Sequence, residues 1–141
     1  MHVKIKKLRD DIVLPSYAHP GDVGLDVRSL EDYTLQPGEK KIFMSGFALG
    51  LPDGYGAFIW DKSSVGAVAG VKTLGGVFDA GFRGEYNVCL INLSSDPFSI
   101  KVGQKIAQIV IMPIVRATIE EVSELGESSR GEGGFGSTGT H

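Results

Sequence analysis

Lys105-Ile-Ala-Gln-Ile-Val-Ile-Met-Pro-Ile-Val115 is a mostly apolar run rich in β-branched residues, which predicts a β-strand and sets the fold class. Similar runs precede it, separated by turn signals such as Pro37-Gly38 and Pro52-Asp-Gly54. Many short strands with regular turns are typical of an all-β sandwich, barrel or jelly roll. The predicted strands are residues 3–8, 23–28, 40–51, 55–60, 85–93 and 105–115, with a possible last one at 117–122. Only residues 63–69 are compatible with a short helix.

Length and composition exclude several classes of protein. A chain of 141 residues with net charge −3 predicts one domain and argues against a general nucleic-acid binder. Cys89 is the single cysteine, which excludes an intramolecular disulfide; its apolar neighbours predict a core position. The three histidines lack metal-ligand spacing, so no structural zinc site is expected. The charged N-terminus has no apolar signal segment and no stretch approaches a membrane span, so we expect a cytoplasmic protein without membrane contact.

The glycine-rich end of the chain differs in composition from the rest. Ser128-Ser-Arg-Gly-Glu-Gly-Gly-Phe-Gly-Ser-Thr-Gly-Thr-His141 cannot build a core, because it holds little apolar surface. It offers an arginine fork and hydroxyls for phosphate oxygens, an aromatic face for a base, and glycines that let backbone N–H groups approach an anion. We therefore predict that residues 126–141 form a mobile arm that closes over a nucleotide, with a disordered polar tail as the alternative. The arm residues concerned are Arg130, Phe135, Gly136, Ser137 and Thr138.

Polar groups interrupt three of the predicted strand regions. Asp26 stands between Leu25 and Val27, so it either faces solvent or is paired. Asp61-Lys-Ser-Ser64 follows an apolar run, where it would suit phosphate binding or form an ordinary capped turn. Gln108 lies within an apolar strand and needs a backbone, subunit or ligand partner.

The strongest candidate for a general base is Asp79, in Gly75-Gly-Val-Phe-Asp-Ala-Gly-Phe-Arg-Gly-Glu85. Strand-like ends flank Asp79-Ala-Gly-Phe82, which predicts a hairpin with Asp79 at its tip. A carboxylate there could deprotonate a water, and the Phe82 ring could face a sugar. A plain turn aspartate is the alternative, since Asp favours turns.

Taken together, these segments resemble the homotrimeric all-β dUTP diphosphatases, the dUTPases. All five motifs of that family have counterparts in order over residues 20–139. They are Gly24-Leu-Asp26-Val, Lys62-Ser-Ser64, Gly76-Val-Phe-Asp79-Ala-Gly-Phe82-Arg-Gly84, Gly103-Gln-Lys-Ile-Ala-Gln108 and Arg130-Gly-Glu-Gly-Gly-Phe-Gly-Ser-Thr-Gly139. The resemblance implies a jelly-roll-like β-barrel domain over residues 1–125, with residues 126–141 as the arm.

The resemblance also implies an activity. Such enzymes hydrolyse dUTP to dUMP and pyrophosphate with Mg²⁺, which limits uracil in DNA and supplies dUMP for dTMP synthesis. Their sites lie between three subunits, and the metal sits on the triphosphate and waters without direct protein ligands. By the same mapping Asp79 activates the water, and Asp26 orders the residues that touch substrate. The residues that the mapping implies for phosphate binding are Lys62, Ser63, Ser64, Gln108, Arg130, Gly136, Ser137 and Thr138. Those implied for contact with uracil and deoxyribose are Thr73, Val77, Phe78, Asp79, Phe82, Asn87 and Phe135.

The chain departs from the family pattern in its phosphate and base motifs. Asp61-Lys62-Ser63 stands where Pro-Arg-Ser is usual, Phe82 replaces a tyrosine, and Thr73 lies near the place of a uracil-contacting asparagine. Lysine keeps the charge of arginine but loses its bidentate fork. A deoxycytidine triphosphate deaminase shares the fold, but its glutamate base is absent here, since Cys89 stands at that place. A non-catalytic nucleotide-binding or structural barrel is the remaining alternative.

Overall fold

The computed structural model describes residues 1–134, and its regular structure there is almost entirely β. The strands are β1 (Lys4–Lys7), β2 (Gly24–Arg28), β3 (Tyr33–Leu35), β4 (Lys40–Met44), β5 (Phe47–Gly50), β6 (Tyr55–Asp61), β7 (Val71–Leu74), β8 (Val77–Phe78), β9 (Asn87–Asn92), β10 (Phe98–Ile100) and β11 (Lys105–Pro113). The predicted all-β class is confirmed. No helix in residues 1–134 has the length and apolar character needed to cross a membrane.

The largest sheet has the order β2-β11-β6-β8, and β11 is its longest strand. β11 pairs antiparallel with β2 on one side and β6 on the other, which sets Gln108 opposite Asp26 and Trp60. The register shifts between Lys105 and Ala107, so β11 carries an irregularity near its start. This sheet therefore brings three of the sequence motifs to neighbouring positions.

A second sheet, β4-β9-β7, faces the same core. Along β9 Val88, Leu90 and Asn92 are fully buried, as period-two alternation requires for a half-buried strand. Cys89 consequently points away from that row and is only half-buried, so its predicted core position is wrong. Two two-stranded sheets, β1-β5 and β3-β10, complete the fold.

Three sequence predictions need correction. The run at residues 40–51 forms two strands, because Gly46 adopts φ +76 and a side chain there would collide with Ile12. Residues 117–122 contain no strand, and Ile119 is exposed. The segment at residues 75–85 is not a hairpin, because β8 pairs with β6, while β9 pairs with β4 and β7. It is a turn that passes from one sheet to another.

Three short strands were absent from the sequence prediction, namely β3, β7 and β10, while β8 coincides with one strand-like end of the predicted hairpin. The short helix that the sequence allowed at residues 63–69 is present as a single π-helical turn, Ser64–Val68. Leu93 and Gly70 close the loop after this turn through a backbone hydrogen bond of 3.0 Å. β7 follows this loop and leads directly to β8 and Asp79.

Candidate active site

A polar cavity of about 340 Å³ lies where β2, β11 and the end of β6 meet. We call it the lysine cavity, because Lys62 and Lys105 are its two cationic side chains. Asp26 and Gln108 share the wall, as the sequence motifs suggested. The remaining lining residues are Ala18, His19, Asp22, Val23 and Gly24.

Asp26 is buried, with 6% of its surface exposed, and it bridges the two lysines. Lys62 Nζ lies 2.7 Å from Asp26 Oδ1, and Lys105 Nζ lies 2.5 Å from Oδ2. Burial raises the pKa of the Asp26 carboxyl, but hydrogen bonds from Lys105 and Lys62 outweigh it and leave that pKa below its ordinary value. Asp26 is therefore ionised and paired, which decides between the two interpretations of this position.

Gln108 is held against the neighbouring strands by its amide. Its Nε2 donates to the backbone carbonyl of Asp61 at 2.9 Å. Gly24 lies beneath it, so closely that a Cβ there would stand 2.1 Å from Gln108 Oε1. The glycine of the first motif thus makes room for the glutamine of the fourth.

Asp61 organises the turn that follows β6. Its Oδ1 accepts the Thr73 N–H at 2.8 Å and the Thr73 hydroxyl at 2.7 Å, while Lys72 Nζ reaches Oδ2 at 2.6 Å. Burial raises the pKa of Asp61, but the hydrogen bonds from Lys72 and Thr73 outweigh it and keep that pKa below its usual range. Thr73 is buried and its hydroxyl donor is used within the fold.

The serines of the second motif occupy the exposed start of the π-helical turn. Ser63 makes no side-chain capping hydrogen bond, which disfavours the capped-turn interpretation. The N–H groups of Val65 and Gly66 donate to the Lys62 carbonyl at 2.9 and 2.8 Å. Those two N–H groups are thereby satisfied within the turn, and both serines are exposed.

A second cavity, of about 150 Å³, contains Asp79. We call it the Asp79 cavity. Val77 and Phe78 of β8 line it together with Asp79, whose side chain is exposed. Within the described residues β8 is the edge strand of its sheet, so its outer backbone groups have no strand partner there. The other lining residues are Gly54, Tyr55, Gly56, Phe58, Ala80, Ile114 and Arg116.

Phe82 stands next to this cavity on an aromatic cluster. Its ring lies 5.5 Å from Phe78 and 5.8 Å from Tyr86, and 38% of the residue is exposed. Tyr86 stacks on Phe78 at 4.1 Å. Arg83 donates to the carbonyls of Ala80 and Phe82 at 2.6 and 2.8 Å, which braces the turn after Asp79.

Other predicted site residues lie outside both cavities. Asn87 opens β9, half-buried and opposite Met44. Arg130 is exposed and its Nε donates to the Gly133 carbonyl at 2.8 Å. Phe135, Gly136, Ser137 and Thr138 lie outside the described residues.

Sequence reasoning missed two cations, Lys105 and Arg116. Lys105 was quoted within the fourth motif, but a residue three positions from Gln108 should point to the opposite face of a regular strand. The register shift in β11 places both in the lysine cavity. Arg116 lies between the predicted strand at residues 105–115 and the one considered at residues 117–122, and no motif included it.

The two cavities share no lining residue. One concentrates ammonium groups and an amide, which suits an anion such as a polyphosphate. The other offers an exposed carboxylate, an apolar wall and a free strand edge, which suit a water, a sugar and a planar polar base. The chemistry of the two cavities is therefore complementary.

Comparison with known proteins assigns the chain to a family. The family model for dUTPase matches residues 10–139. The chain is 46% identical over 144 residues to the deoxyuridine 5'-triphosphate nucleotidohydrolase of Thermobifida fusca (strain YX), covering 100% of this chain and 80% of that relative. It is also 46% identical over 139 residues to the enzyme of the same name from Clostridium tetani (strain Massachusetts / E88), covering 97% and 96%.

Solved structures agree with this result. The Staphylococcus bacteriophage 80alpha dUTPase with dUPNHPP superposes with a TM-score of 0.90 at 27% sequence identity, and the match covers 98% of each chain.

Proposed function

This chain belongs to the dUTPase family, and on that premise we propose that it hydrolyses dUTP to dUMP and pyrophosphate. The relatives that match it over nearly its whole length carry this activity in their names. The reaction limits the uracil available for DNA synthesis and yields dUMP for dTMP synthesis. We propose that the protein acts in the cytoplasm.

Asp79 is the proposed general base. Its carboxylate is exposed at the edge of a cavity, on a turn that Arg83 braces through two backbone carbonyls. A water hydrogen-bonded to this carboxylate would lose a proton to it as the water oxygen attacks the α-phosphorus, and pyrophosphate would leave.

The lysine cavity is the proposed phosphate site. Gln108 supplies a donor from β11 and Lys62 supplies one from the position just after β6, and the exposed Ser63 and Ser64 hydroxyls lie in the adjoining turn. Arg130, Gly136, Ser137 and Thr138 would add donors from residues 126–141, which we propose close over the bound nucleotide. Asp26 would order the lysines.

Uracil and deoxyribose are assigned to the Asp79 cavity. Phe78 lines the wall of this cavity, and the free backbone edge of β8 at Val77 offers an N–H donor and a carbonyl acceptor to a pyrimidine edge. The half-exposed Phe82 ring is proposed to pack on the sugar and exclude a 2′-hydroxyl. Phe135 would stack on the base; Asn87 and Thr73 remain proposed contacts, although the Thr73 hydroxyl is already engaged by Asp61.

Mg²⁺ is the proposed cofactor, carried by the substrate. Among residues 1–134 no three His, Cys, Asp or Glu side chains come together as a metal site, and Asp26 of the lysine cavity is paired with two ammonium groups. This donor set fits a triphosphate that brings its own hydrated cation. Bound there, Mg²⁺ would neutralise phosphate charge and favour in-line displacement.

The lysine cavity and the Asp79 cavity share no lining residue, which supports our proposal of a homotrimer with sites between subunits. A triphosphate held in one lysine cavity would meet Asp79 of another copy. Co-expression of an Asp79→Asn chain with a Lys62→Glu chain tests this arrangement. Mixed oligomers should regain activity that neither variant has alone, whereas failure to regain it would place both residues in one chain's site.

The activity is tested by pyrophosphate release with Mg²⁺ from dUTP, dCTP, dTTP and UTP, each offered separately. Release from dUTP alone is expected, with loss in Asp79→Asn and in a chain ending at Glu127. Asp96→Asn removes an exposed carboxylate outside both cavities and is the matched control. Ammonia release from dCTP would instead indicate a deaminase, and no turnover would indicate a binding protein.

A further inference from the structure

We infer that Lys105 is a positioning residue for the phosphate site, and that it keeps Lys62 available to substrate by sharing the charge of Asp26. This inference rests on the proposed hydrolysis of dUTP. It concerns a residue that the motif mapping gave no role.

The geometry divides the carboxylate between the two lysines. Lys62 takes Oδ1 at 2.7 Å and Lys105 takes Oδ2 at 2.5 Å, so each ammonium has its own oxygen. Asp26 is buried, while about a third of each lysine side chain is exposed to the cavity. Two positive charges against one negative charge leave the cluster with one net positive charge.

The register shift in β11 is what brings Lys105 into this cluster. Gln108 lies directly opposite Asp26, and in a regular strand Lys105 would point to the other face of the sheet. The shift between Lys105 and Ala107 turns it to the same side, where it lines the cavity with Gln108.

The charge balance has a direct consequence for substrate binding. Without Lys105, Asp26 and Lys62 would form a neutral pair, and a phosphate would compete with a buried carboxylate for the one remaining ammonium. With Lys105 present, Asp26 keeps a partner when Lys62 turns to phosphate. Charge-assisted hydrogen bonds of this kind are strong enough to change affinity on the order of tenfold to a hundredfold.

Steady-state kinetics with dUTP and Mg²⁺ supply the first test. Lys105→Met should raise KM on the order of tenfold while kcat changes less than threefold, because the reacting groups around Asp79 are untouched. Lys105→Arg should restore KM. Lys101→Met removes an exposed partner of Asp32 and serves as the control, with unchanged kinetics.

A double variant separates charge from structure. Asp26→Asn with Lys105→Met leaves Lys62 as the only charge of the three, so the net charge returns to one positive. KM should recover toward the wild-type value even though the cluster has lost both partners. If KM instead rises in proportion to the loss of thermal stability across these variants, the role of Lys105 is purely structural and the inference is overturned.

Binding of inorganic tripolyphosphate without Mg²⁺, measured by calorimetry, tests the inference apart from turnover. Lys105→Met should weaken binding on the order of tenfold, and the difference should shrink at high ionic strength. If the wild type does not hydrolyse dUTP but shows this dependence, the proposed function fails and the role of Lys105 stands. If dUTP is hydrolysed but Lys105→Met changes neither KM nor the affinity for tripolyphosphate, the inference about Lys105 fails and the proposed function stands.

Discussion

Gly24→Ala should displace Gln108, because no room exists for a methyl group between β2 and β11. A Cβ at position 24 would lie 2.1 Å from Gln108 Oε1, 2.7 Å from its Cδ and 2.8 Å from its Cβ. The amide end can swing away, but the Cβ is fixed to the strand. The movement would break the hydrogen bond from Gln108 Nε2 to the Asp61 carbonyl.

Two costs contribute to the magnitude. Overpacking of this kind costs about 1–3 kcal/mol, and loss of the amide hydrogen bond adds about 1 kcal/mol. We expect unfolding free energy to fall by about 2–4 kcal/mol in total. KM for dUTP should also rise, because Gln108 leaves the lysine cavity.

Urea unfolding at a fixed protein concentration measures the first effect, since association would make the midpoint concentration-dependent. Gly50→Ala is the matched control, because Gly50 also lies in a strand and a Cβ there meets only ordinary contacts at 3.5 Å or more. Gly24→Ala combined with Gln108→Gly removes all three close contacts. The two changes should therefore be coupled by at least about 1 kcal/mol; strictly additive costs would refute the steric explanation.

Four further predictions follow from the aromatic cluster and the turns beside it. Tyr86→Phe should be neutral or stabilising at pH 7, because the buried Tyr86 hydroxyl has no hydrogen-bond partner among the described residues. Burial raises the pKa of Tyr86 to about 12 from 10.0, so wild-type stability should fall by about 2 kcal/mol more than that of Tyr86→Phe as pH rises from 10 to 12, measured by urea titration. The pKa of Asp61 is lowered on folding, so its contribution is present above about pH 4 and is lost as pH falls through the folded-state value; acid unfolding of Asp61→Asn should depend less on pH than that of the wild type. Arg83→Met frees the carbonyls of Ala80 and Phe82 and should lower kcat about tenfold with a small change in stability, by steady-state kinetics and thermal melting.

Local pattern was sufficient for the long strands. The alternation of buried Val88 and Leu90 with half-buried neighbours in β9 is the period that a half-buried strand shows, and the apolar run of β11 gave its length nearly correctly. The short strands β3, β8 and β10 hold two or three residues each, too few to show a period. Their existence depends on pairing partners distant in sequence.

The errors arose where backbone conformation or pairing decides the outcome. Residues 40–51 look like one strand until Gly46 takes a positive φ, although Ser45-Gly46 is itself a turn signal. The predicted hairpin failed because β8 finds its partner in β6 across the chain. No local feature of Asp79-Ala-Gly-Phe82 distinguishes a hairpin tip from a crossing between sheets.

For the site, motif mapping found the main polar residues of each cavity but not their electrostatics. It identified Asp26, Lys62 and Gln108, which the structure brings into one cavity. It could not assign Lys105, whose orientation depends on a register shift that only pairing reveals. The charge balance among Asp26, Lys62 and Lys105 could therefore not be predicted from the sequence.

Two departures from the family pattern meet in the structure. Asp61 stands where proline is usual, and Thr73 lies near the place of a uracil-contacting asparagine. The carboxylate of Asp61 accepts both the N–H and the hydroxyl of Thr73, so the Thr73 donor that would replace the asparagine amide is already used. A proline at position 61 has no carboxylate to accept these groups. The outward backbone groups of β8 at Val77 and the side chain of Asn87 are then the proposed polar contacts left to recognise a base.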